Sequence, residues 1–165
     1  MMDEDFMDFP FDEEDDLGEA SDPVSFFSED IDFSLDGQEK FQSWIKEVIL
    51  FHNGLLGFLN IVFCSDEYLL KLNQEYLQHD TLTDIITFPY QDPPRVEGDI
   101  FISIDRVREN AQAYGVAFAH ELSRVIIHGV LHLCGFGDKT EEEQLRMRSK
   151  EEEAMRKLNE GYLGK

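Results

Sequence analysis

Hydrophobic and polar positions repeat with different periods along the chain, and these periods predict where helices and strands lie. From Val24 onward, apolar and polar side chains alternate, a pattern typical of a half-buried strand. Residues 38–52 instead place apolar side chains three and four positions apart, which predicts a helix that stops at Asn53-Gly54. The short run 57–64 is rich in aromatic and β-branched residues and predicts a second strand.

The second half of the chain is mixed at first and then wholly helical. Ser65 is a favourable N-cap for a helix that is predicted to reach about Tyr76. Two more strands are predicted at 83–90 and 98–103. Three further helices are predicted near 105–115, 119–133 and 141–158. This order predicts an α+β fold, in which a small mixed four-stranded sheet packs with about five helices in a single domain.

The charge of the chain is strongly negative and unevenly distributed. Among 165 residues there are 36 acidic and 14 basic side chains, a formal net charge of −22. Residues 1–23 hold eleven of the acids and no lysine or arginine. Because such a run cannot repay the entropy of ordering it, residues 1–23 are predicted to be an acidic disordered tail and residues 24–165 the folded domain. No basic patch of the kind that binds nucleic acid is evident.

Apolar runs and cysteines bear on where the protein acts. No stretch of about 18 apolar residues is present, so no membrane span and no membrane partner are expected. The chain has two cysteines, and no apolar signal segment follows basic residues at its start. We therefore expect a cytoplasmic location.

The segment 125–138 carries the most specific chemical signal. His128 and His132 are four residues apart in an apolar helix, so both imidazoles lie on one face and can bind one ion. Gly135 is placed to end the helix with a left-handed turn, which would bring Asp138 back as a third ligand. Two imidazoles and one carboxylate favour zinc, at one ion per chain, with open positions typical of a catalytic site. Cys134 points about 200° away from His132 and is predicted to be a small core residue.

The spacing of the two histidines invites comparison with zinc peptidases. Those enzymes carry H-E-x-x-H, in which the glutamate is the general base. Position 129 is glycine in this chain, so that base is missing. A metalloprotease-like hydrolase therefore stays an alternative without its usual mechanism.

The motif His128-Gly-Val-Leu-His132-Leu-Cys-Gly135, with its third ligand six residues beyond His132, resembles the YbeY family of metal-dependent endoribonucleases that act in ribosomal RNA maturation. Other motifs occur in the family's order and spacing. They are Leu72-Asn73 with Tyr76, residues 83–89, residues 98–100, and Met147 with Glu151. The resemblance covers about residues 24–160.

The resemblance implies a zinc-dependent single-strand endoribonuclease that acts in ribosomal RNA maturation and ribosome quality control. It implies ribosomal RNA and the small ribosomal subunit as partners, with no DNA expected, and His128, His132 and Asp138 as the metal ligands. No catalytic residue is identified beyond this metal centre. An alternative of another class is a zinc-stabilised ribosome assembly factor with weak catalysis.

Two departures from the family pattern affect these expectations. Asp138 stands where the family usually has a third histidine, which changes the charge at the metal. Leu77 stands where the family usually has an arginine, the natural candidate for gripping a phosphate. The other candidate phosphate contacts are Arg95, Arg106, Arg108 and Arg124. Asp84 and Asp99 are candidate general bases, although turn or cap roles are favoured for both.

Overall fold

The computed structural model describes residues 21–77 and 83–160. Its strands are β1 (Val24–Ser28), β2 (Leu55–Cys64), β3 (Ile85–Pro89) and β4 (Arg95–Ser103). Its α-helices are α1 (Gln38–Phe51), α2 (Asp66–Leu72), α3 (Ile104–Tyr114), α4 (Phe118–Leu133) and α5 (Glu141–Leu158). A π-helical turn, Asn73–Leu77, continues α2. The predicted single-domain α+β fold, a four-stranded mixed sheet with five helices, is confirmed.

The four strands form one sheet in the order β1-β2-β4-β3. Strands β1, β2 and β4 are parallel, and β3 pairs antiparallel to β4, with Ile85 opposite Ile102. Strand β3 is therefore an edge strand, which pairs with β4 along one of its sides.

Helix α4 lies at the centre of the main core and packs on one face of the sheet between α3 and α5. Gly129 makes this close approach possible. A Cβ atom at this position would lie 2.8 Å from Cδ1 of Ile85 and 3.1 Å from Cδ1 of Ile100. Such contacts are too short for a side chain, so glycine allows the helix to lie against β3 and β4.

The other face of the sheet carries a smaller core beneath α2. Its buried members are Cys64, Leu69 and Ile86, with Tyr68, Leu72, Phe88 and Phe101 packed against them. Successive residues of a strand point to opposite faces, so Ile86 and Phe88 lie in this core while Ile85 faces α4. The two cores place β3 between α2 and α4.

The helix boundaries agree with the predictions more closely than the strand boundaries do. Strands β2 and β4 begin at Leu55 and Arg95, earlier than predicted, because these two residues pair with one another. Strand β1 ends at Ser28, although the alternating pattern continues beyond it. Pairing with a neighbouring strand decides these ends, and pairing is not visible in a local pattern.

Most of the predicted tail, residues 1–20, lies outside the described residues. Its last residues contact the domain, since Val24 N–H donates to Asp22 Oδ1 (2.9 Å) and Lys46 Nζ donates to Asp22 Oδ2 (2.7 Å). Pro23 O accepts from Leu59 N–H at 2.8 Å. Across the described ranges, no helix combines the length and the hydropathy needed to cross a membrane.

Candidate metal centre and its cleft

The last turns of α4 present the two predicted histidines side by side. The ring centroids of His128 and His132 are 4.6 Å apart. Gly135 has φ 110°, the left-handed conformation that was predicted for it. Its N–H donates to His132 O (3.0 Å), and Phe136 N–H donates to Leu131 O (3.1 Å). This hydrogen-bond pair is a Schellman motif, which ends the helix and reverses the chain.

The reversal brings Asp138 to the two imidazoles. Its Oδ2 lies 3.2 Å from Nε2 of His132 and 3.4 Å from Nε2 of His128. The three side chains offer ligand atoms that all lie within 4.8 Å of one another. Zinc ligands at ~2.1 Å in tetrahedral geometry lie ~3.4 Å apart. The donor set and its spacing therefore fit one divalent ion.

Glu151 of α5 fixes the orientation of His128. The two side chains are 2.6 Å apart between Nδ1 and Oε2, so Nδ1–H donates to the carboxylate. The lone pair of Nε2 is then directed toward Asp138 and the ion position. A carboxylate behind a ligating histidine sets its tautomer and ring orientation and strengthens it as a ligand.

A buried ion-pair network supports Glu151 in turn. Arg124 Nη1 donates to Glu151 Oε1 (3.1 Å), and its Nε and Nη2 donate to the two carboxylate oxygens of Glu121 (3.0 and 2.7 Å). The side chains of Glu121 and Glu151 are 1% and 3% exposed. Arg124, a predicted phosphate contact, is therefore held by two buried carboxylates.

Contacts within this network favour the ionised forms of Glu151 and Arg124. Burial alone would raise the pKa of Glu151, but the hydrogen bond from His128, together with Arg124, holds this pKa below its usual value. The hydrogen bonds to Glu121 raise the pKa of Arg124. His128 thus faces the ion position with an ionised carboxylate behind it.

The three candidate ligands line an open cleft of about 470 Å³. One wall consists of α4 and the loop that follows it. The other wall consists of β3, the residues before it and the end of the π-helical turn. The residues that line the cleft are Asn73, Leu77, residues 83–87, His128, His132 and Asp138. Within the described part of the chain, this lining contains no lysine and no arginine.

The two candidate bases occupy different places. Asp84 lines the cleft and is partly buried, and burial raises its pKa against the opposing charges of Arg124 and His128. Asp99 accepts hydrogen bonds from Asn60 Nδ2 (3.0 Å) and Tyr90 Oη (2.6 Å), away from the cleft. Asp99 thus has a role in the sheet, whereas Asp84 is placed where a substrate can reach it.

The remaining candidate phosphate contacts lie away from the cleft lining. Arg95 is 3.4 Å from Glu97, and the guanidinium of Arg108 lies 5.3 Å from the ring centroid of Phe118. Arg106 donates to Asp66 (2.8 Å) and Glu109 (2.9 Å). Leu77, which stands in the usual arginine position, does line the cleft and is 41% exposed.

The packing around Cys134 and Gly129 bears on two expectations from the sequence. Cys134 packs against the main core, and burial raises the pKa of its thiol to about 11, which agrees with a packing role. Gly129 faces the sheet rather than the cleft. A glutamate there would collide with Ile85 and Ile100, which counts against a peptidase base at this position.

Sequence reasoning missed the part that Glu121 and Glu151 play behind His128. A signal was present on α5, where Glu151 lies four residues from both Met147 and Met155, on the buried face of the helix. A carboxylate on an apolar stripe needs a partner, because burying an unpaired charge is costly. The partner, Arg124, is 27 residues away and cannot be assigned from spacing.

The chain is similar to known proteins over most of its length. The family model described as Endoribonuclease YbeY matches residues 26–159. A curated Endoribonuclease YbeY of Flavobacterium psychrophilum is 50% identical over 130 residues, 79% of this chain and 93% of the relative. One from Porphyromonas gingivalis is 44% identical over 137 residues, 83% of this chain and 91% of the relative.

A solved structure adds a likeness in three dimensions. The solution structure of TM1509 from Thermotoga maritima has a TM-score of 0.61 with this chain at 26% identity. The likeness covers 86% of this chain and 92% of the other. Fold, motif order and identity to relatives confirm the resemblance seen in the sequence. The chain belongs to the endoribonuclease YbeY family.

Proposed function

We propose that this protein is a zinc-dependent endoribonuclease that cleaves single-stranded RNA in ribosomal RNA maturation and ribosome quality control. The carrying observation is the convergence of His128, His132 and Asp138 at an open cleft. Relatives named Endoribonuclease YbeY support the reaction class. The proposal includes a cytoplasmic location and ribosomal RNA on the small ribosomal subunit as substrate.

The residues of the chain divide the work of this reaction. His128, His132 and Asp138 would hold one zinc ion, which supplies Lewis-acid polarisation of a phosphodiester oxygen when bound. Glu151 holds the ring of His128 in its ligating orientation. Asp84 lies in the same cleft and can accept a proton from an attacking hydroxyl at its carboxylate.

A second function is favoured by the charge of the cleft. Leu77 replaces the usual arginine, and the described lining offers no lysine or arginine to a phosphate. A zinc-stabilised ribosome assembly factor with weak catalysis would need no such grip. The net charge of −22 also favours this second function, because a strongly negative protein attracts RNA phosphates only weakly.

Metal content and cleavage test the proposal together. Protein purified without chelator should hold about one zinc ion per chain, and His128→Ala and His132→Ala should each abolish its retention. His120→Ala is the matched control, since His120 is an exposed histidine of α4 outside the cleft lining. Full zinc occupancy in a double variant of His128 and His132 would contradict the site.

Asp138→Asn separates the enzyme from the assembly factor. In excess zinc this variant should keep the melting temperature of the parent and lose at least about 100-fold in single-turnover RNA cleavage. If it nevertheless restores ribosome maturation fully in a strain depleted of the protein, the assembly role is the correct one.

A further inference from the structure

A row of aromatic rings runs from the smaller core to the π-helical turn that ends at Leu77. We call Tyr68, Phe101, Phe88 and Tyr76 the aromatic row. Tyr68 stacks on Phe101 with ring centroids 6.3 Å apart. Phe101 meets Phe88 edge to face at 5.7 Å and 87°, and Phe88 meets Tyr76 at 5.9 Å and 81°. Such edge-to-face contacts are favourable and fix the orientation of each ring.

Tyr76 differs from the rest of the aromatic row in its exposure. It is 64% exposed, whereas the rings of Phe88 and Phe101 are packed against the smaller core. Tyr76 lies in the π-helical turn next to Leu77, which lines the cleft. The outermost ring of the row is therefore held in place by Phe88 and left open to solvent, one residue before Leu77 of the cleft lining.

The charge of the cleft limits how this protein can hold RNA. Its described lining contains no lysine or arginine, and the network of Glu121 and Glu151 engages Arg124. Attraction of phosphates by the described cleft lining itself is therefore weak. Proteins that bind single-stranded RNA also use stacking of unpaired bases on exposed aromatic side chains, which does not depend on charge.

We infer that Tyr76 is a base-stacking residue, which receives an unpaired base of an RNA strand whose phosphodiester lies in the adjacent cleft. This inference rests on the proposed ribonuclease function and names how its substrate is held. Glu75, the residue before it, is polar and exposed. The exposed large apolar side chains of this turn are Tyr76 and Leu77, which suits a single base better than a protein partner, whose interface buries ~1,000 Å² or more.

Binding of a labelled single-stranded decauridylate, measured by fluorescence anisotropy on the zinc-loaded protein, tests the inference. Tyr76→Ala should raise the Kd about 10-fold, within the range for one stacked base. Tyr76→Phe should stay within about twofold of the parent, because the ring is retained. Tyr114→Ala is the matched control, since Tyr114 is 61% exposed but lies at the end of α3, outside the aromatic row and the π-helical turn.

Three further measurements separate stacking from charge and from misfolding. The ratio between parent and Tyr76→Ala should stay constant from roughly 50 mM to roughly 300 mM salt, whereas a phosphate contact would weaken. A decamer of equal charge that lacks its bases should show no difference between the two proteins. If Tyr76→Ala lowers the melting temperature, Tyr76→Leu keeps an apolar side chain against Phe88 and should still weaken binding.

Equal affinities of the parent and Tyr76→Ala for decauridylate would overturn the inference, as would an equal loss in Tyr76→Phe. A parent protein that binds no decauridylate would overturn it too. None of these three results decides the ribonuclease proposal, which depends on zinc content and on RNA cleavage by Asp138→Asn.

Discussion

Glu151 and Asp84 are carboxylates on either side of the candidate metal centre, and their surroundings move their pKa values in opposite directions. Glu151 lies behind His128, where His128 and Arg124 outweigh the effect of burial and lower its pKa. Asp84 lies in the other wall of the cleft, where burial dominates and raises its pKa. Direct partners of Glu151 compensate for its burial, whereas the opposing charges near Asp84 do not outweigh the effect of burial on its pKa.

This difference separates the tasks of the two walls. Buried ion pairs contribute little net stability, but they hold side chains in one geometry, which a metal ligand needs. The wall with His128 and His132 is therefore built for a fixed donor set. The wall with Asp84 and Leu77 presents a carboxylate and an aliphatic side chain to the cleft, groups that can contact a variable substrate.

Among the changes that test this comparison, removal of Arg124 should have the largest effect on stability. Arg124→Ala leaves Glu121 and Glu151 buried without their shared cation, a change that typically costs ~3–5 kcal/mol. For a domain of this size, the melting temperature should fall by about 6–20 °C. Thermal unfolding followed by circular dichroism on the metal-free protein measures the shift.

Arg108→Ala provides the control for Arg124→Ala. Arg108 is exposed, and its guanidinium lies over the Phe118 ring rather than between carboxylates. Its removal should cost no more than about 1 kcal/mol. A melting temperature of Arg124→Ala within about 2 °C of the parent would show that the two glutamates do not need this cation.

The two walls also differ in how far the sequence could predict them. His128, His132, Gly135 and Asp138 are close in the chain, and helical spacing with one left-handed turn suffices to bring the ligands together. The resemblance favours a cleft-facing position for Leu77, but local spacing alone does not give it, because that position depends on how α2 packs on the sheet.

Contacts between distant residues could not be predicted from local patterns. The partnership of Arg124 with Glu151 joins two helices. The packing of Gly129 against Ile85 requires α4 to lie on β3. The same limit applies to the sheet, since the strands were predicted but their order depends on pairing between remote segments. Chemistry carried by one helix was therefore predictable, and chemistry shared between elements was not.

Restoring a cation to the substrate wall should have the next largest effect. Leu77 lines the cleft and is 41% exposed, so an arginine can replace it without opening a cavity. A guanidinium there can pair with a phosphate and stabilise charge that develops during cleavage. Leu77→Arg should raise single-turnover cleavage of single-stranded RNA at least several-fold, with a melting temperature close to that of the parent.

Leu145→Arg controls for the added charge, because Leu145 is 71% exposed on α5 and is not part of the cleft lining. It should leave cleavage unchanged. Equal acceleration by both variants would mean that net charge matters and the position does not. A folded, zinc-loaded Leu77→Arg that is no faster than the parent would show that the phosphate lies elsewhere.

Neutralising Asp84 should have the smallest effect, and its sign follows from the raised pKa. Folding raises the pKa of this carboxyl above its usual value of 3.8, so the ionised form opposes folding. The cost is fully present above the folded pKa, declines as the pH falls from there to 3.8, and is absent below 3.8. Asp84→Asn should therefore raise the melting temperature of metal-free protein at pH 7, and this gain should disappear in acid.

Asp92→Asn, a change in an exposed loop, corrects for the loss of one negative charge. A gain that persists below pH 3.8, or a lower melting temperature at pH 7, would mean that the ionised carboxylate of Asp84 is stabilised in the fold, as Glu151 is.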